Sequence, residues 1–266
     1  MGPKKSKLKT ALVLSGGGPK GAAQIGALKV ILKKITPDVI IGTSIGAANG
    51  GLVALGVSLE TIERYWLDVK KEDVCKFNLK ILYQLHLCDA IYSHRGLHKR
   101  FQSFFNGYHF ADCKIPLYIN TTRLKDGANI VFHEGLILDA VLASCSLPPI
   151  YPPYKIKGVK YMDGGLTEFV NTETALALKC KQIIIVNVGY TGHPDRFDKG
   201  MLRLSHHAIE LLAFQSLRKE IEECKHDNVV EVKCDIDSYN MDFSKIPYFI
   251  EQGEIEAKKV LRKIIV

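Results

Sequence analysis

The 266-residue chain has seven cysteines but no C-x-x-C pair. Cys75, Cys88, Cys113, Cys145, Cys180, Cys224 and Cys234 are odd in number and widely spaced, which argues against a disulfide framework and against a zinc site. A reducing, intracellular setting is therefore expected, and no metal. No run of about 18 uncharged apolar residues occurs, so a membrane-spanning helix is not expected. A secretory leader is not expected either, because glycines break the apolar stretch that follows the first lysines. No repeat, low-complexity tract or Gly/Ser/Pro linker divides the chain. One domain is expected over 9–266, behind a short basic, disordered tail at 1–8. No acidic residue precedes Asp38, whereas eight lysines do. With a net charge of +8, that bias favours an anionic partner such as nucleic acid or membrane headgroups. Met1, Gly2 and Ser6 fit a loose myristoylation pattern, but Pro3 beside the acceptor glycine argues against acylation.

Apolar content of 47% and charged content of 24% are ordinary for a globular protein. The first half alternates. Thr10 to Leu14 reads as a buried strand, Gly21 to Lys34 as a helix, Asp38 to Gly42 as a second buried strand, and Ile45 to Leu55 as a second helix. That βαβα order implies parallel neighbouring strands joined by a right-handed crossover. Ser58 is placed to cap a helix reaching about Lys70. Helical patterns follow at Asn78 to His86, Gly96 to Phe105 and Leu136 to Ala143. "KIPLYINTT", "ANIVFHE", "GVKYM" and "CKQIIIVNV" read as strands. Two further helical stripes run from Leu204 to Cys224 and from Ile250 through Gly253 and Ala257 to Ile264.

Gly16, Gly18 and Gly21 match G-x-G-x-x-G between a strand and a helix, the setting of a dinucleotide loop. Such a site needs an acidic residue at the end of the second strand, and Asp38 stands at that strand's beginning. A P-loop also fails, since no G-K-[ST] follows the spacer. The second strand ends instead in Gly42-Thr43-Ser44-Ile45-Gly46, a G-x-S-x-G between strand and helix. The flanking glycines suit a sharp turn with the serine hydroxyl at its tip, and the following helix aims its positive end at that oxygen. If the first two strands are neighbours, the N–H groups of Gly17 and Gly18 lie near Ser44, as an oxyanion hole lies near a nucleophile. The base is open between histidines and an acid. His193, His206 and His207 fit the usual chain order; His206 and His207 read as surface residues, and His193 lies in a loop after a strand. Asp163, which ends "GVKYM" and opens Asp163-Gly164-Gly165, is the stronger candidate.

Together, "GGGPKG" at Gly16 to Gly21, "GTSIG" at Gly42 to Gly46, "DGG" at Asp163 to Gly165 and the preceding "ASCSLPPIYPP" resemble the patatin-like phospholipases. The resemblance covers roughly residues 8 to 190. It implies a three-layer α/β/α fold around a central, mostly parallel sheet. It implies a Ser44–Asp163 dyad in place of a triad, and an oxyanion hole from Gly16, Gly17 and Gly18. Lys20 would stand at the family's basic position, with an exposed lysine at a helix start the plainer reading. Asn171 aligns with an asparagine that often follows the third motif. The implied substrate is a phospholipid or other acyl lipid, met at an anionic membrane surface by a cytoplasmic protein, with neither cofactor nor nucleic acid. The segment Phe77 to Phe105 reads as core, or as a cap that faces lipid. A lipid-binding module without catalysis and a nucleotide-dependent enzyme are the competing readings.

Overall fold

The continuous apolar runs become the middle of one sheet. The computed structural model describes residues 9–79, 89–189, 201–224, 228–236 and 242–265. In chain order the elements are β1 (Thr10–Leu14), α1 (Ala22–Ile31), β2 (Val39–Thr43), α2 (Ile45–Ala54), α3 (Leu59–Asp68), α4 (Lys71–Val74), β3 (Lys76–Phe77), β4 (Tyr92–Ser93), α5 (Arg95–Phe105), β5 (Leu117–Arg123), β6 (Asn129–Phe132), α6 (Ile137–Ser144), β7 (Tyr154–Ile156), β8 (Val159–Asp163), α7 (Thr172–Ala177), β9 (Gln182–Asn187), α8 (Met201–Glu223), β10 (Asn228–Lys233) and α9 (Ile246–Val260). The main sheet runs β10-β9-β1-β2-β5-β8-β7, with β6 also on β5. β10, β9, β1, β2 and β5 run parallel to one another; β6 and β8 are antiparallel to β5, and β7 is antiparallel to β8.

Side-chain alternation along the strands feeds two cores. Leu12, Leu14, Ile40, Ile184 and Val186 point to the face covered by α1, α2, α3, α5, α6 and α9. Ala11, Val13, Ile41, Ile183 and Ile185 point to the face covered by α7 and α8. The result is the expected three-layer α/β/α arrangement around a mostly parallel sheet. The helix expected at Asn78 to His86 falls largely outside the described residues. Ser58 caps α3 as expected, accepting from the Thr61 N–H at 3.2 Å.

Helices α1 and α9 approach unusually closely. A Cβ at Gly26 would strike the Ile250 carbonyl, and one at Gly253 would strike the Ala23 carbonyl. Gly253→Val is therefore expected to cost at least about 3 kcal/mol, since backbone cannot give way as a flexible side chain can. A thermal melt checks this, with a fall of roughly 6–12 °C expected for a chain of this size.

One point of topology decides the position of the site. Asn120 on β5 pairs with Thr43 of β2 and also with Val131 of β6. The next residue, Thr121, pairs with Asp163 of β8 and also with Ile130 of β6. A strand residue has two edges, so β2 and β8 lie end to end on the edge of β5 that faces away from β6. β2 runs parallel to β5 and β8 antiparallel, so their carboxyl ends meet there. The shared edge of a parallel sheet would not have led to this meeting, because β8 runs against β2 and β5.

Candidate active site

Ser44 follows directly from the end of β2. Its backbone is held at φ 56°, ψ −124°, a conformation costing a non-glycine residue about 1–3 kcal/mol. The surroundings enforce it. A Cβ at Gly42 would strike the Gly46 carbonyl and the Ala47 backbone, and one at Gly46 would strike the Leu14 and Ser15 carbonyls. These two glycines let the turn close and let the first turn of α2 sit on the end of β1. The Ser44 N–H donates to Ser144 Oγ at 2.7 Å. α2 then starts at Ile45, with its positive end at the serine.

Asp163 ends β8 and is 3% exposed. Its N–H donates to the Ser146 carbonyl at 3.0 Å, and its carbonyl accepts from Thr122 Oγ1 at 2.8 Å. Its Oδ1 accepts from the Gly165 N–H at 2.9 Å, and the Ser44 hydroxyl stands near enough to the carboxylate to favour its charged form. Burial pushes its carboxyl up to about 6, against the Ser44 hydroxyl and the Gly165 N–H, which pull it down. A carboxylate so placed is a stronger base than one in water. The Cys145 thiol also lies against Ser44; burial holds it well above the ordinary range, so it stays a neutral thiol. Gly164 is close-packed, since a Cβ there would strike the Asn120 carbonyl. The segment beyond is pinned by the buried Glu220 of α8, whose carboxylate accepts from the N–H groups of Phe169 at 2.7 Å and Val170 at 2.9 Å.

The glycine loop meets the serine. A Cβ at Gly16 would sit 3.3 Å from Ser44 Cβ. Gly17, at φ 150°, and Gly18, at φ 55°, lie in the region that favours glycine. Among the described residues, no acceptor takes the N–H of Gly16, Gly17 or Gly18. Gly21 packs its bare Cα against the Ile45 side chain. Lys20 is 4% exposed, which corrects the reading of an exposed lysine. It is tucked under the loop and lines the same cavity as Ser44.

A buried polar chain supports the loop from below. Gln24 Nε2 donates to the Ser15 carbonyl at 2.8 Å, Asn49 Nδ2 to Gln24 Oε1 at 2.8 Å, and Trp66 Nε1 to Asn49 Oδ1 at 3.0 Å. Sequence reasoning missed these residues. Polar side chains on the otherwise apolar helices α1 and α2 were the available signal.

Gly16, Gly17, Gly18, Ser44 and Asp163 open on one cavity of about 160 Å³. Its interior is apolar, lined by Leu52, Val69, Val74, Leu97, Phe101 and Phe105 among others. Thus part of the segment Phe77 to Phe105 faces this cavity, while Arg95 and Lys99 on the other side of α5 are exposed.

The histidines stand apart from this arrangement. His193 and the side chain of His206 lie outside the described residues. His207 is not on the surface as expected: its side chain is 12% exposed and its Nδ1 is 3.9 Å from Glu210 Oε2. His94 touches the region at one remove. Its Nε2 is 2.8 Å from Ser146 Oγ, which spends its own proton on the Leu142 carbonyl at 2.7 Å, so Nε2–H is the donor. Burial and the nearby His98 hold His94 down at about 4. Asn171 adopts a left-handed conformation, φ 40°, and caps α7 by accepting from the Thr174 N–H at 3.1 Å. Among the described residues, no group of three or more His, Cys, Asp or Glu is arranged to hold a metal ion.

The family model described as patatin-like phospholipase matches residues 12–176. The chain belongs to the patatin-like phospholipase family. Patatin-like phospholipase domain-containing protein 7 of Rattus norvegicus is 31% identical over 196 residues, covering 71% of this chain and 14% of that protein. Lysophospholipase NTE1 of Kluyveromyces lactis is 30% identical over 185 residues, covering 67% of this chain and 12% of that protein. The patatin-like chain thus spans about a seventh or less of these relatives. VipD from Legionella pneumophila shares the fold, with a TM-score of 0.52 and 13% identity over 97% of this chain and 67% of its own. Among the described residues, no helix is long and apolar enough to cross a membrane.

Proposed function

We propose that the protein is a serine lipid acyl hydrolase of the phospholipase A type, cleaving fatty-acyl esters of phospholipids through Ser44 and Asp163. The observation that carries this reading is that Ser44, the buried Asp163 carboxylate and the glycine loop line one apolar cavity. In the reaction Ser44 Oγ attacks the ester carbonyl and its proton passes to Asp163. The N–H groups of Gly16, Gly17 and Gly18 receive the oxyanion, and one such donor is typically worth about 3 kcal/mol in the transition state. The alcohol leaves with the proton from Asp163. Asp163 then draws a proton from water, which attacks the acyl-enzyme, and returns it to the departing Ser44 Oγ as fatty acid is released. The acyl chain lies along Leu52, Leu97, Phe101 and Phe105. Lysophospholipids are the first substrates to test, because relatives carry that name.

Contact with an anionic membrane surface belongs to the same reading. α8 lines the cavity with Ile209 and Ala213 and leaves Leu204 and Leu212 exposed at 57% and 71%. The six described free cysteines suit the intracellular setting proposed with it.

A fluorophosphonate probe tests the central assignment. It is expected to modify the protein once, at Ser44, by peptide mapping; a folded protein that takes no label contradicts the reading. Narrowing the cavity gives a second check. Leu97→Trp is expected to lower the preference for a long-chain over a short-chain ester about tenfold in relative kcat/KM. An unchanged ratio would place the acyl chain elsewhere.

A further inference from the structure

We propose that Asn120 and Ser144 are positioning residues that hold the Ser44 elbow and the Asp163 turn together across the seam between β2 and β8. The proposal rests on the hydrolase reading and adds to it the device that sets the spacing of the two reacting groups.

Ser44 and Asp163 come from strands that end against one another and share no hydrogen-bond ladder. Nothing in the pairing of β2 with β8 can fix their spacing, so a third element must. β5 supplies it, because Asn120 is the residue opposite the end of β2 and Thr121 the residue opposite the end of β8. The Asn120 side chain is fully buried. Its Nδ2 donates to the carbonyls of Glu168 at 2.6 Å and Gly164 at 3.1 Å, and lies 3.5 Å from Thr43 Oγ1. One amide thus touches the residue before Ser44, the residue after Asp163 and the far end of the Asp163 turn. The two carbonyls fix which way the amide faces, because a reversed amide would set oxygen against oxygen. Gly164 can approach this closely only because it has no Cβ, which would strike the Asn120 carbonyl and side chain.

The Asn120 backbone carbonyl serves the other side. It accepts from Ser144 Oγ at 2.6 Å, and Ser144 Oγ in turn accepts from the Ser44 N–H at 2.7 Å. Ser144 thereby satisfies the amide of Ser44, which is held in a strained turn. From Ser44 to Ser144 to Asn120 to Gly164, every link is a buried or part-buried hydrogen bond, and the chain runs from one reacting residue to the neighbour of the other. Neither side chain touches the reacting atoms.

The test compares Ser144→Ala, Ser144→Thr and Asn120→Ala with wild type and Ser44→Ala, using long-chain ester hydrolysis across pH and a thermal melt for each protein. With the bracket open, Ser144→Ala and Asn120→Ala are expected to lose about 10- to 100-fold in kcat while KM stays within about twofold. The acid limb of the pH profile is expected to move upward, because the Ser44 hydroxyl no longer favours the charged form of Asp163. Ser144→Thr, which keeps the hydroxyl, is expected to return kcat to within about threefold of wild type. A merely structural role would lower the melting temperature and leave the acid limb in place. Folded Ser144→Ala and Asn120→Ala proteins with the wild-type kcat and acid limb overturn the proposal. So does a kcat loss that tracks only the fraction unfolded. Failure of the hydrolase reading looks different: wild type would then release no more product than Ser44→Ala.

Discussion

A Ser44→Ala protein is expected to fold as wild type does and to release fatty acid from phospholipid about 10⁵-fold more slowly, as removal of a covalent nucleophile does elsewhere. The expectation follows from geometry. Ser44 lines one cavity with the buried Asp163 carboxylate, and a Cβ added at Gly16 of the glycine loop would sit 3.3 Å from Ser44 Cβ. Alanine keeps the strained backbone at φ 56° and loses only the oxygen. Glycine at the same position relieves the strain. Ser44→Gly is therefore expected to be as inactive as Ser44→Ala and about 1 kcal/mol more stable than it. A lipase assay beside a denaturant melt reads both effects. If a side chain other than Ser44 made the acyl-enzyme, the two substitutions would leave turnover near the wild-type rate.

The second large effect concerns Asp163, and it joins activity to stability. Asp163→Asn removes the base and is expected to lower kcat by about 10⁴-fold. The same change is expected to stabilise the protein at neutral pH. The folded protein raises this carboxyl from 3.8 to about 6, so the folded state holds a proton that the unfolded state has already released. Its contribution favours folding below the unfolded value and is lost as pH rises through about 6. At pH 7 the buried charge therefore opposes folding by about 3 kcal/mol, at 1.36 kcal/mol per unit. Asparagine carries no charge, so the gain from Asp163→Asn is expected at pH 7 and should shrink as pH falls through 5 toward 4. Denaturant melts at several pH values read this directly. In wild type, hydrolysis needs the charged carboxylate, so kcat/KM is expected to rise with pH along a limb centred near 6. A gain in stability without a loss of activity would make Asp163 a buried acid outside the reaction.

Much of this was legible in the chain. The runs that became β1, β2 and β9 are continuous and apolar because helices cover both of their faces, and such runs need no tertiary information to be seen. The order of Gly42, Ser44 and Gly46, the loop at Gly16 to Gly18, and Asp163 with Gly164 and Gly165 pointed to one site, and the fold brings Gly16 to Gly18, Ser44 and Asp163 onto one cavity. Other parts were hidden for physical reasons. β7 has three residues, and β10 begins with two half-buried positions and ends in an exposed lysine. α7 is a six-residue helix started by a left-handed asparagine rather than by an apolar pattern. The burial of Lys20 and His207 depends on what packs over them, which no local pattern reports.

Asn120 and Ser144 are the clearest case. Each is an ordinary polar residue until β2 and β8 are placed end to end on β5. A signal was present, since Asn120, Thr121 and Thr122 are polar residues in a buried strand. Only the register shows what they hold.

The most direct test of the account is mass-spectrometric product analysis on a mixed phospholipid panel, with wild type beside Ser44→Ala. Release of free fatty acid by wild type, and none above background by the folded Ser44→Ala protein, is the predicted result. Equal release by both proteins, or none by folded wild type, would contradict it.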